Sequence, residues 1–211
     1  MVYIKMLRLS PLTLSRLWSS ELSVSKKQHV VDTATALFSQ YGFHPVGVDW
    51  IIEASGVARM TMYRNFNGKE DLVKTVLRQR SEYLIGQLKA RMDDKPSLDE
   101  KIISIFDWRG QWFCSTSFAG CLFGRAVAEF PEHSDIRGIA LDYKRQLLGL
   151  VENEMARYHT PETAKTLATY LLMLLDGATV NAQAFGEHRF AGDACDAALM
   201  LLRFNVGKQI R

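Results

Sequence analysis

The sequence predicts an all-α fold of about nine helices, a small three-helix unit followed by a larger helical body. Apolar residues recur at three- and four-residue spacing through nearly the whole chain, the period of a half-buried helix. No stretch alternates polar and apolar residues with β-branched enrichment between hairpin turns, so strands are not expected. Cap and stop residues also fall at intervals that suit helices of ordinary length.

The elements follow in order. Residues 1–24 mix apolar residues with Lys5, Arg8 and Arg16, and their apolar runs are too short for a signal peptide or a membrane span. They read as a poorly ordered arm or as an upstream start codon, with an extra DNA-contacting arm as a third reading. The first helix is expected over 26–41, with Val30, Ala34, Leu37 and Phe38 on one face and Gly42 as its stop. Two short helices over 48–54 and 59–66 flank the turn Ser55-Gly56-Val57. After Asn67-Gly68, the run Lys69-Glu70-Asp71 opens a long helix to 91, its acidic residues at the positive end of the helix dipole. Polar residues 93–97 end it, and Ser97 with Glu100 predicts a capping box. Helices over 98–113, 118–129 and 134–158 come next. Thr160-Pro161-Glu162 then supplies a cap, a proline and an acidic first turn for an apolar helix to 185, and Gly192-Asp193 opens a last helix to 208. The expected domains are 25–72 and 73–211, with the long helix straddling the boundary.

With 211 residues, 47% of them hydrophobic, the chain buries a full core. The net charge of +3 hides an asymmetry: residues 1–92 hold 13 basic against 7 acidic residues, and 93–211 hold 13 against 16. A basic head on a mildly acidic body points to a polyanion at the head. Cys114, Cys121 and Cys195 are an odd count without zinc-type spacing, so neither a disulfide framework nor a metal is expected, and a reducing cytoplasm fits. No cofactor and no membrane contact are expected. No nucleophile–base set, phosphate loop or metal motif stands at workable spacing, which argues against an enzyme.

Segment 48–66 is the informative part. Two short amphipathic helices joined by a turn containing Gly form a helix-turn-helix, a unit that reads DNA. Gly56 supplies the turn, and Ile51, Ile52, Val57 and Met62 fix the angle between the helices. The second helix presents Arg59, Met60, Thr61, Tyr63, Arg64 and Asn65. Arg grips guanine edges, Thr meets a thymine methyl or a phosphate, and Tyr63 and Lys69 suit phosphates. In isolation, Arg59, Arg64 and Lys69 read as solvated helix charges.

The surrounding pattern changes that reading. Ala34-x-x-Leu37-Phe38-x-x-x-Gly42-Phe43, then Ile51, Ala54-Ser55-Gly56-Val57, Tyr63-x-x-Phe66 and Gly68-Lys69-Glu70-Asp71-Leu72 resemble the DNA-binding domain of tetracycline-repressor (TetR)-type regulators over roughly residues 26–75. The resemblance implies an N-terminal helix-turn-helix domain and a C-terminal domain for effector binding and dimerisation. It places Arg59 and Thr61 near bases and Tyr63, Asn65 and Lys69 on the backbone of a pseudo-palindromic, double-stranded operator read by a homodimer. The chain departs from the family where Val46-Gly47 replaces a Thr-Ser-like pair, leaving Gly47 at the first contact position. Ala58 replaces Ser or Thr, and Met60 replaces a small residue. Lost caps weaken a helix start by about 0.5–2 kcal/mol, which keeps open a ligand-binding module with a degenerate head.

In the body, helix 164–185 and the last helix, with Ala194, Ala197, Ala198, Leu201 and Leu202, carry apolar surface suited to pairing with a second copy. Trp108, Trp112, Phe113, Phe118, Cys121, Phe123, Tyr143 and Met173, with Asp176 among the polar contacts, form a candidate lining for a largely apolar small-molecule effector. Each reads equally well as core, and the resemblance alone favours a pocket. Arg109, Arg125, Glu129 and Asn181 are further polar candidates. Cys121, one turn before Arg125, is a candidate electrophile or redox sensor.

Overall fold

The computed structural model describes the backbone of residues 11–209 and the side chains of 26–204. Within these residues the chain forms nine helices: α1 Pro11–Tyr41, α2 Val48–Ser55, α3 Arg59–Asn65, α4 Lys69–Asp93, α5 Leu98–Phe113, α6 Leu122–Glu129, α7 Ser134–Met155, α8 Pro161–Phe185 and α9 Phe190–Gln209. The arm expected over 1–24 lies outside the described residues as far as Ser10, and α1 takes up the chain from Pro11, well before Lys26.

In the head, α1 packs on α2, α3 and α4. The apolar period of each element converges there: Val30, Ala34 and Phe38 of α1, Ile51 of α2, Met62 of α3 and Leu72, Val73 and Val76 of α4 are completely buried, with Phe43 and Val46 from the connecting loop. The apolar faces of two short helices, α2 and α3, meet those of α1 and α4 at one core when the α2–α3 turn is tight. Gly56 makes it so, with φ +63 in the left-handed region that a side chain disfavours.

The body is a bundle in which α4 contacts α5 and α7, α7 contacts α6 and α8, and α8 and α9 pack on each other and on α5. Its core includes Ile102, Ile105 and Phe106 of α5, Phe123 of α6, Tyr143 and Leu147 of α7, and Leu167, Leu171 and Leu175 of α8. Ser97 caps α5 in the capping box expected from its spacing to Glu100. Thr160 caps α8 through the backbone N–H of Thr163. Lys101 of α5 and Glu154 of α7 form a buried ion pair at 2.6 Å. The sixth helix starts at Leu122, four residues later than its apolar pattern suggests, because Gly120 at φ +87 breaks the helical path and Cys121 becomes the cap. A Cβ at Gly120 would also collide with the Gln183 side chain of α8.

Candidate nucleic-acid interface and ligand cavity

α3 divides its residues by side. Met62 is fully buried, and Phe66 just beyond the helix nearly so, which anchors the helix and turns Arg59, Met60, Tyr63 and Arg64 to the exterior. Met60 is 73% and Tyr63 50% exposed. Thr61 and Asn65 are half-buried along the rim, where the Asn65 amide donates to the Thr61 carbonyl at 2.7 Å. Arg59 meets Asp49 of α2 at 2.8 Å with both side chains largely in solvent, a pair too exposed to hold the guanidinium firmly. Lys69 is half-buried and donates from Nζ to the His44 carbonyl at 3.2 Å. Burial lowers its pKa from the ordinary lysine range, against the raising influence of Glu129.

The helix starts of the head share one property. Gly47 begins α2, Ala58 begins α3 and Gly68 begins α4, and none receives a side-chain cap. Their first backbone N–H groups therefore lack a side-chain acceptor at the positive end of a helix dipole, an arrangement that suits a phosphate.

The head is tied to the body through α6. The Glu129 carboxylate accepts from the backbone N–H groups of Phe43 and His44 at 2.9 and 2.7 Å, and the His44 ring donates to the Glu129 carbonyl. Arg125, one turn earlier, donates to the α1 carbonyls of Phe38 and Ser39 and to that of Ala119. Phe130 stacks its edge on Phe43, with ring centroids 5.4 Å apart. Thus α6 grips the last turn of α1 and the loop that leads into α2.

Beside this junction lies a cavity of about 660 Å³, within the range of roughly 300–1,000 Å³ typical of small-molecule sites. Its walls come from α1, α4, α5, α7, the loop before α6 and the first turn of α6. Of the expected lining, Trp108, Trp112, Phe118, Cys121, Phe123 and Tyr143 face it. Phe113 stands behind them, against the Trp112 and Phe118 rings at 5.8 and 4.9 Å. Met173 and Asp176 are elsewhere. Met173 is 65% exposed on α8, and Asp176 pairs with Lys144. Of the other polar candidates Arg109 lines the cavity, whereas Arg125 and Glu129 form the α6 junction and Asn181 bonds its own helix at Gly177. The cavity also contains Arg80 and Tyr83 of α4, which the sequence reading did not single out. A signal existed: Arg80 interrupts the stripe Val73, Leu77, Leu84, Leu88, so a charge sits on the buried face of α4.

Cys121 accepts the Gly124 N–H at its sulfur, Cys114 is exposed, and Cys195 is buried with its thiol pushed up to about 11 by burial. Among the described residues no group of three metal-ligating side chains occurs, and no helix is long and apolar enough to cross a membrane.

Residues 30–76 match the family model described as bacterial regulatory proteins, tetR family. The chain is 36% identical over 70 residues to the HTH-type transcriptional regulator RutR of Escherichia coli, a match covering 33% of each chain. It is 27% identical over 82 residues to the HTH-type transcriptional repressor KstR2 of Mycolicibacterium smegmatis, covering 39% of this chain and 40% of the relative. These sequence matches therefore span about a third of the relatives' length. Likeness of fold extends further. A TetR-family transcriptional regulator from Streptomyces coelicolor superposes with a TM-score of 0.78 at 28% identity, covering 85% of this chain and 95% of that one. The reduced form of Escherichia coli NemR superposes with a TM-score of 0.74 at 18% identity, covering 82% and 95%. The helix-turn-helix head, residues 30–76, is thus a domain of the tetR family of bacterial regulatory proteins, and the chain as a whole shares the fold of a TetR-family transcriptional regulator.

Proposed function

We propose that this protein is a ligand-responsive repressor that binds a double-stranded operator as a homodimer and leaves it when a small molecule fills the cavity under α1. The observation that carries the reading is the two-sided α3, anchored by Met62 and offering Arg59, Met60, Tyr63 and Arg64 outward. The head spans residues 25–72 and the effector and dimer body 73–211, joined by α4. Arg59, Met60, Thr61 and Arg64 meet base edges. Tyr63, Asn65, Lys69 and the uncapped start at Gly47 hold phosphates.

Two recognition helices must reach major-groove faces about 34–36 Å apart, which requires a second copy. The last two helices supply its seat. Tyr170, Met173 and Val180 follow one another along one side of α8 with Gly177 between them, and Met200 stands out from α9. These are large apolar side chains left in solvent by a single chain.

The cavity touches α1 of the head as well as the body, and α6 grips the end of α1. A ligand that favours a shifted α1 therefore moves α2 and α3, and a coupling of about 1–3 kcal/mol suffices for regulation. The protein acts by binding rather than by catalysis, in the cytoplasm, without cofactor. Cys121 has a structural task as the cap of α6, and no observation favours a cysteine sensor over a bound effector.

Selection of duplexes from a random-sequence pool tests the reading. Enrichment of a pseudo-palindrome, lost in an Arg59→Ala, Tyr63→Ala variant of unchanged fold, supports it. A pool that stays random contradicts it and leaves a ligand-binding module.

A further inference from the structure

Arg80 of α4 and Arg109 of α5 both line the cavity, and the way they are held is unusual for arginines in a folded core. Neither forms an ion pair among the described residues. Arg109 lays its guanidinium against the Trp108 and Trp112 rings, at 5.5 and 5.4 Å from their centroids. It makes one long hydrogen bond, 3.4 Å from Nη2 to the Tyr143 hydroxyl, and its buried Nε has no partner. Arg80 rests against Tyr83 at 5.5 Å. Burial pulls its pKa below the ordinary arginine value, and the charge of Arg109 adds to the effect. The cavity's carboxylate, Asp32, is exposed and receives the Gln28 amide at 2.9 Å.

Two cations that share a partly dry space are costly unless an anion joins them. Arginine matches a carboxylate with two parallel donors, a geometry that a lone hydroxyl at 3.4 Å does not satisfy. The remaining wall is aromatic, with Trp108, Trp112, Phe118, Phe123 and Tyr143 around the same space. Phe123 already stacks on Tyr143, with ring centroids 3.9 Å apart and planes 12° apart. A second flat ring fits the same arrangement.

We propose that the cavity takes an aromatic carboxylate, its acid group held between Arg80 and Arg109 beside the Tyr143 hydroxyl and its ring system against Trp108 and Trp112. The ligand is an organic anion, and a purely apolar effector fills the space less well because it leaves both guanidinium groups unmatched. The proposal rests on the reading of this cavity as the effector site, and it specifies that site's ligand. It also assigns Arg80 the role of a specificity residue on the very helix that joins head to body.

Matched pairs separate charge from shape. Binding of 2-naphthoate and of its neutral counterpart 2-naphthamide to the full chain is followed by tryptophan fluorescence, with benzoate and benzamide as the smaller pair. One charge-assisted bidentate contact is worth about tenfold to a hundredfold in affinity. The acid is expected to bind at least tenfold more tightly than the amide. Arg80→Met and Arg109→Met, which keep much of the side-chain volume, should each remove most of that preference while leaving amide binding within about twofold. Arg80→Lys should retain a part of it. Equal affinities for acid and amide, no binding of either, or a preference that survives both Met substitutions would overturn the proposal. Release of the selected operator duplex is measured in parallel. Acid binding without release leaves the anion site standing and removes the effector reading, whereas release by the amide alone removes the anion site and keeps the effector reading.

Discussion

The head and the body of this chain start most of their helices differently, α7 of the body, which begins at His133 without a side-chain cap, standing apart. In the body, Ser97, Cys121 and Thr160 each cap a helix with their own side chain. In the head, α2, α3 and α4 start at Gly47, Ala58 and Gly68 with no side-chain cap at all. A missing cap costs about 0.5–2 kcal/mol per helix, so a head built for stability alone would not leave three. The difference teaches that the body caps helices with its own side chains, while the head leaves the first backbone N–H groups of three helices without a side-chain acceptor, the arrangement on which the proposed phosphate-binding role rests. Two buried side-chain atoms of the body have no partner among the described residues, His159 Nδ1 and, in the cavity, Arg109 Nε.

Breaking a closed pair in the body should have the largest effect. Lys101→Met leaves Glu154 charged and nearly buried, with Arg157 as its remaining partner at 3.4 Å. We expect a loss of about 3–5 kcal/mol in urea unfolding, mostly recovered when Glu154→Leu is added. A wild-type-like midpoint for the single variant would show that the pair is not closed.

The junction comes next. Glu129→Ala removes the acceptor for the Phe43 and His44 N–H groups, at a cost of about 2 kcal/mol. Hydrogen exchange at those two amides should quicken while the amides of α8 keep their protection. Slowing throughout, or no change, would deny that α6 holds the head. A smaller effect of opposite sign is expected from Ala58→Ser. Its backbone at φ −64, ψ 141 is already that of a cap, so stability should rise by about 1 kcal/mol.

The smallest contrast is chemical. Cys195, buried with a thiol near 11, stays protonated through neutral pH because a raised thiol pKa moves the thiolate to alkaline solution. A thiol-reactive disulfide reagent at pH 8 should label exposed Cys114 first and Cys195 only after unfolding.

Much of this architecture is legible in the residues, and the reason is locality. The capping box of Ser97 and Glu100, the turn at Gly56 and the proline start of α8 are decided within four residues, so spacing reveals them. What depends on which helix lies opposite is not legible. Met173 and Asp176 sit on an apolar helix like any core residue, yet α8 turns that side away from the cavity. The stripe of α4 places Arg80 on a buried face, but that it faces Arg109 across a cavity depends on how α5 packs against α4. Arg125 and Glu129 find their partners on α1 and the loop after it, which lie far off in sequence.

The salt dependence of affinity for a selected operator duplex tests the central claim most directly, namely that the open head is a phosphate-binding surface. The account predicts that affinity falls steeply and linearly on logarithmic axes between about 50 and 200 mM salt, as released counterions require. Tyr63→Phe and Lys69→Met should weaken binding to all sequences, with Lys69→Met lowering the slope by about one unit. An affinity indifferent to salt, or a slope that Lys69→Met leaves unchanged together with wild-type binding, would contradict it.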